Sequence, residues 1–207
     1  MNIKDWEQVW SSNFFLTVNK IYGMFFLKNF FNLLKYMKIS SKTKIIELGC
    51  GSGEILLKLI RKYNFKATLV DNYKPILDKT ISNFNENKIK AEFILKDIFK
   101  LNFKKKYDIV LSVGLIEHFK GKKREEAFKI HKNLTKRGGY LVIYTPSSSF
   151  SYWVGRKINE KLGTWMVSET PFTKKELLRM CKANNLISIK ISKTLFGSWF
   201  SLLAKRL

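Results

Sequence analysis

A chain of 207 residues, 45% of them hydrophobic, is long enough for one compact domain with a full core and too apolar for disorder. Its two cysteines, Cys50 and Cys181, exclude a disulfide framework, and neither has a partner at metal-ligand spacing, so a reducing, cytoplasmic setting is expected. Lys and Arg number 39 against 16 Asp and Glu, a formal charge of +23 that favours anionic partners such as RNA, phosphorylated metabolites or acidic lipid surfaces.

The basic residues are nearly all Lys, with Arg confined to positions 61, 124, 137, 156, 179 and 206. A guanidinium grips phosphates and guanine edges better than an ammonium does, so this bias argues against specific nucleic-acid readout. An A+T-rich coding sequence accounts equally well for abundant Lys, Asn, Ile and Phe. No secretory leader is expected, because Lys4, Asp5 and Glu7 fall where a basic stretch and an apolar run belong.

No repeat or low-complexity linker divides the chain. Residues 13–37 are rich in Phe, Leu, Ile and Met, but Lys20, Lys28 and Lys35 interrupt them. No apolar run approaches the roughly 20 residues that cross a bilayer. Phe15, Val18, Tyr22, Phe25 or Phe26, Phe30, Leu33 or Leu34 and Met37 recur at three- and four-residue steps, which predicts a helix. From residue 43 the pattern becomes strand and helix in alternation, with strands predicted at 44–48, 67–71, 91–95, 107–113 and 140–145. Ile55, Leu56, Leu59, Ile60 and Tyr63 mark one intervening helix. Ala127, Phe128, Ile130 and Leu134 mark another, stopped by Gly138-Gly139.

The stretch from Pro146 to Phe172 is far longer than the roughly 2–6 residues usual between strand and helix. Phe150, Trp153 or Val154, Ile158 and Leu162 predict a helix inside it. Thr173 and Glu176 then form a capping box, flanked by Phe172 and Leu177 as a hydrophobic staple. Strands at 186–191 and 199–204 close the chain. Such alternation implies a doubly wound α/β fold with a mainly parallel sheet, whose ligands bind beyond the carboxyl ends of the strands where strand order reverses.

The first strand runs into Glu47-Leu48-Gly49-Cys50-Gly51-Ser52-Gly53-Glu54 and then a helix. Glycines let the backbone turn sharply and approach a ligand closely. A dinucleotide fingerprint would need its third glycine at position 54, where Glu stands. The acids at 47 and 54 suit a cationic ligand better than a pyrophosphate.

This segment resembles the first motif of the class I S-adenosylmethionine-dependent methyltransferases, and residues 43–145 follow that family in order. The resemblance implies a seven-stranded sheet with its last strand antiparallel, and S-adenosylmethionine as cofactor. It implies that Glu47, Gly49, Cys50, Gly51 and Gly53 form the cofactor turn and that Asp71, followed by Asn72, holds the ribose hydroxyls. Asp97 matches the acid that accepts from the adenine amino group, with Ile98 against the ring, and Val113 ends the strand that faces the reacting methyl. The chain then divides into a helical cap (1–40), a cofactor-binding core (43–145), a lid insertion (146–172) and closing elements (173–207).

For catalysis the best-placed pair is Glu117-His118, just past the fourth strand; His titrates near neutral pH and can take a hydroxyl proton. The rival reading has His118 capping a short helix under the cofactor. Quinone-pathway O-methyltransferases are similar here, with an acid-x-x-Glu-His arrangement that binds a divalent metal. Gly114 stands in place of the first acid, so no metal is expected. His131, mid-helix, is expected to be structural.

Ser112-Val113-Gly114-Leu115 lacks the Pro-Pro-aromatic signature of amino-methylating DNA enzymes, and neither cysteine is placed to attack cytosine. The lid and the N-terminal helices are expected to close over the cofactor and form the acceptor pocket. A small anionic or amphipathic acceptor is the first reading. An RNA acceptor, a cofactor-binding subunit without turnover, and peripheral contact of 13–37 with an anionic membrane stand beside it.

Overall fold

The computed structural model describes residues 3–101, 104–165 and 168–207, and the side chains of 3–5, 8, 13–16 and 18–20 lie outside that description. Two helices lead, α1 (Ile3–Ser11) and α2 (Asn13–Leu34). α2 buries Phe26, Phe30 and Leu33 along one face, with Met37 just beyond. Phe25 stays at the surface against the exposed ring of Phe196 (centroids 6.0 Å). Phe15 and Val18, predicted on the inner face, lie outside the described side chains. Among the described residues no helix is long and apolar enough to cross a membrane.

The remaining elements are β1 (Lys44–Leu48), α3 (Glu54–Tyr63), β2 (Lys66–Asp71), α4 (Lys74–Glu86), β3 (Glu92–Leu95), β4 (Tyr107–Val113), α5 (Gly121–Leu134), β5 (Thr135–Pro146), α6 (Phe150–Lys161), α7 (Lys174–Ala183), β6 (Leu186–Thr194) and β7 (Trp199–Arg206). They build one seven-stranded sheet in the order β3-β2-β1-β4-β5-β7-β6. β1 to β5 pair in parallel, and β7 runs antiparallel to both β5 and β6. This is the predicted Rossmann-like sheet. Alternation along β1 divides the core in two: Ile45 joins the layer under α2, α3 and α4, while Ile46 and Leu48 join that under α5 and α7. Strand order reverses between β1 and β4, which puts the ligand crevice at their carboxyl ends.

Three local features differ from the sequence reading. α5 ends at Leu134 and β5 begins at once with Thr135, rather than at residue 140 after a Gly-Gly stop. Tyr107 pairs with Thr135 and Ile109 with Tyr140, so residues 136–139 bulge out of the ladder. Secondly, only half of the capping box forms. Thr173 Oγ1 accepts from the Glu176 amide at 3.1 Å, but the Glu176 carboxylate turns to Arg124. The staple itself is present, since Phe172 and Leu177 are both fully buried.

The third difference is α6. The helix forms as predicted, with Ser149 as its N-cap, but Phe150, Val154, Ile158 and Leu162 face solvent. Tyr152 is the residue it buries. Periodicity reports the helix; it does not report whether the apolar stripe finds a partner.

Candidate functional site

β1 ends in a turn whose three glycines all take left-handed backbone, with φ +62, +49 and +62 at Gly49, Gly51 and Gly53. A Cβ at Gly53 would lie 2.7 Å from Leu69 and 2.9 Å from Thr80, so this glycine lets α3 start hard against β2 and α4. At Gly51 it would lie 2.7 Å from the Trp10 ring, because α1 crosses the turn. The turn is tied down from both sides. Its Gly51 amide donates to Asp71 Oδ2 at 2.9 Å, and its Gly51 carbonyl accepts from Thr80 Oγ1 at 2.7 Å.

Asp71, at the end of β2, also accepts the Tyr73 amide on Oδ1 at 3.0 Å. Burial raises its carboxyl pKa, and these amides oppose the shift. A carboxylate has about four acceptor sites, so these bonds leave part of its capacity for a ligand. Asn72 beside it is exposed. Glu47 lies on the face of β1 toward α2 and α3. It is buried, its Oε2 has no hydrogen-bond partner among the described residues, and burial raises its pKa to about 8, helped by Asp71. Cys50 is buried within the turn, and its thiol is pushed up by burial and by both carboxyls. Asp97 accepts the Phe99 amide at 3.0 Å, capping a short helical turn, and Ile98 is buried in the second core layer. Val113 is half-buried at the end of β4.

Past β4 the chain makes a left-handed bend at Gly114 (φ +66) and a short helical turn, Ile116–His118. Leu115 lies against the first glycine of the cofactor turn, 2.8 Å from where a Gly49 Cβ would stand. The two halves of the site therefore share a wall. Glu117 is fully buried; its Oε2 accepts from Thr145 Oγ1 at 3.3 Å and its Oε1 has no hydrogen-bond partner among the described residues. Burial drives its pKa far up, and the Glu169 carboxylate adds to this. His118 Nδ1 lies 3.0 Å from the Ser168 carbonyl, and the Trp6 ring meets the imidazole edge-on at 5.2 Å. Burial lowers the His118 pKa against the opposing pull of the Ser168 and Gly114 carbonyls.

Glu169 is the residue that sequence reasoning missed. It follows α6 in a loop with no motif, and only the length of the insertion hinted at a functional part. Its Oε1 accepts from the Tyr152 hydroxyl at 3.0 Å, and burial lifts its pKa to about 7. Its charge reaches Tyr22 as well. Arg124, also unmarked by any motif, holds this loop. It donates to the carbonyls of Phe119 (2.7 Å), Glu117 (3.2 Å) and Thr170 (2.8 Å), pairs with Glu176 at 3.1 Å, and stacks over Phe172 at 4.2 Å. His131 takes no part. It is fully buried between α5 and β4, with Nδ1 2.8 Å from the Ala127 carbonyl and Nε2 2.8 Å from Ser112 Oγ.

The family profile described as "Methyltransferase domain" matches residues 45–139, the segment that carries the glycine turn, Asp71, Asp97 and Glu117-His118. Over residues 45–139 the chain matches a methyltransferase family, and its sheet has the fold of the class I S-adenosylmethionine-dependent methyltransferases. Among curated relatives, the ubiquinone biosynthesis O-methyltransferase of Rickettsia akari is 24% identical over 135 residues, covering 65% of this chain and 53% of the relative. That of Pelagibacter ubique is 25% identical over 167 residues, covering 75% and 68%. The chain thus spans about half the length of the first of these relatives. Its fold is shared by magnesium protoporphyrin IX methyltransferase from Synechocystis PCC 6803, solved with bound SAH, at a TM-score of 0.77 and 14% identity over 99% of this chain and 94% of that one. S-adenosylmethionine is the cofactor of this methyltransferase fold, and in this chain Leu115, two residues before Glu117, lies against Gly49 of the glycine turn.

Proposed function

We propose that the chain transfers a methyl group from S-adenosylmethionine to an oxygen of a small organic acceptor. The observation that supports this reading is the shared wall: Leu115, in the turn that carries Glu117 and His118, lies against Gly49 of the glycine turn that Asp71 ties down. The names of the curated O-methyltransferase relatives support oxygen as the acceptor atom.

The residues present fit the cofactor. Glu47 offers an unsatisfied buried carboxyl oxygen to a cationic ligand, and Asp71 keeps acceptor capacity for a ribose hydroxyl. Asp97 and Ile98 stand at the adenine end, with Asn72 at the exposed edge. Bound there, the cofactor supplies a methyl already activated by a sulfonium, so the protein's part is alignment and water exclusion. α1 contributes to exclusion, with Trp10 over the turn and Trp6 against His118. The acceptor faces Glu117, His118 and Glu169, the end of the site equipped to manage the proton that an oxygen acceptor loses.

Tritiated S-adenosylmethionine offered with phenolic and carboxylic metabolite pools, and separately with total RNA, tests the reading. Label in the small-molecule fraction is expected. Label confined to RNA, or no transfer to any pool despite tight cofactor binding, would replace it with an RNA enzyme or a subunit without turnover.

A further inference from the structure

The three glycines of the turn are covered from different directions. A Cβ at Gly49 would meet Leu115, and one at Gly53 would meet Leu69, Thr80 and Phe84, all from the body of the sheet and the segments packed on it. Gly51 is covered from outside that body. Its Cβ would lie 2.7 and 2.8 Å from two carbons of the Trp10 ring, and Trp10 belongs to α1. Gly51 is also the residue whose amide Asp71 holds, so a ligand hydroxyl on that carboxylate passes directly beside it. Not even a methyl group fits between ring and turn, and an adenosyl group is thicker than a methyl.

α1 is the element best able to give way. Its nine residues fall short of the roughly 12 that an isolated helix needs in water, so tertiary contacts must hold it. The helix breaks from α2 at Ser12, whose amide donates to the Val9 carbonyl at 3.3 Å, whereas α2 is anchored in the core through Phe26, Phe30 and Leu33. Val9 is fully buried, and Trp6 and Trp10 are partly so. The two tryptophans are four residues apart and share one face of the helix. Trp10 stands on the glycine turn. Trp6 meets the His118 ring edge-on at 5.2 Å, against an imidazole fixed by the backbone of Ser168 and Gly114. One short helix therefore touches both halves of the site.

We propose that α1 is a latch, in which Trp10 competes with the adenosyl cofactor for the bare face of Gly51. Cofactor binding displaces the ring, the helix turns about Ser12, and Trp6 is drawn off His118. The acceptor side thereby responds to cofactor occupancy without any movement of the sheet. A chain whose latch is closed cannot bind, so the latch reduces the binding-competent fraction and slows association. The proposal rests on the cofactor's lying against the glycine turn; it does not depend on which atom is methylated.

The test is surface plasmon resonance of the immobilised full chain with S-adenosylhomocysteine. Trp10→Ala should associate about fivefold faster or more, with Trp10→Phe between it and the parent. An association rate no higher than the parent's, whatever happens to dissociation, makes Trp10 an ordinary wall of the site and overturns the latch. Nuclear magnetic resonance of the labelled histidines reads the other half. S-adenosylhomocysteine should move the His118 ring signals of the parent, and in Trp6→Ala most of that movement should be lost. His131, bonded to Ala127 and Ser112 away from the turn, should keep its signals throughout and report an intact fold. Undiminished movement of His118 in Trp6→Ala overturns the coupling. No binding to the parent or to Trp10→Ala would overturn the cofactor reading together with the latch, whereas equal binding to both overturns the latch alone.

Discussion

The Asp71 carboxylate and the Gly51 amide, 20 residues apart in sequence, meet at 2.9 Å across the ends of β2 and β1. The same side chain holds the Tyr73 amide at the start of α4. One acid therefore shapes the glycine turn. Asp71→Ala leaves both amides without that acceptor, which should cost about 1–3 kcal/mol of stability. S-adenosylhomocysteine affinity should fall by well over tenfold in calorimetry. An unchanged affinity would mean that the adenosyl group does not lie here.

Glu47 predicts a proton linkage. Its carboxyl, raised by burial to about 8, is largely neutral at pH 7 until a cation stands beside it. A cationic ligand favours the ionised form and draws the pKa down on binding, so a proton leaves as the cofactor enters. Affinity should rise with pH up to about 8, and calorimetry in buffers of different ionisation enthalpy should show proton release. Glu47→Gln should abolish both. For folding the sign is opposite: the native state holds this proton and the unfolded chain does not between 4.5 and about 8, so the Glu47 contribution to stability weakens as pH climbs through that window.

The strands and the glycine turn were legible for physical reasons. β1, β2 and β4 are buried on both faces, so they read as short apolar runs, and the glycine spacing reflects left-handed backbone that only a few residues tolerate. The side-chain cluster past β4 was half legible. Glu117-His118 stands out because it follows a strand directly. Glu169 and Arg124 do not, because what places them is tertiary: a loop carbonyl at Thr170 and a guanidinium from α5. α6 shows the limit of periodicity, since its apolar stripe marked the helix yet lies in solvent while Tyr152 turns inward.

Arg124 should separate the two halves of the site. Its guanidinium joins the turn after β4 to the loop that carries Glu169, and its side chain is 8% exposed. A lysine has one charged nitrogen and no planar fork, so Arg124→Lys cannot reach Phe119, Glu117, Thr170 and Glu176 together. It should lower stability by about 2–3 kcal/mol and reduce methyl transfer through kcat. Affinity for S-adenosylhomocysteine should change less than about threefold, because no bond of Arg124 touches residues 47–53 or Asp71. Equal losses of cofactor affinity and turnover would show that the loop and the turn move as one.

His131 gives the protein an acid-sensitive joint remote from the crevice. Both ring nitrogens are used, one by Ala127 and one by Ser112, and burial holds the pKa down at about 4. In the unfolded chain the ring would titrate near 6.5. Between those values the unfolded state binds a proton that the native state refuses, so stability must fall as pH drops from about 6.5 toward 4. The slope is about 1.4 kcal/mol per pH unit, or roughly 3 kcal/mol across the window. Glu47 pulls the other way over much of this range, so the parent curve alone would hide the term. Urea unfolding of the parent and of His131→Gln at pH 4.5, 5.5 and 6.5 isolates it, because the variant keeps a polar side chain but loses the titration. The gap between the two should narrow as the solution is acidified. A gap that is constant with pH would mean that His131 is protonated in the folded protein, with the Ser112 hydroxyl as its acceptor.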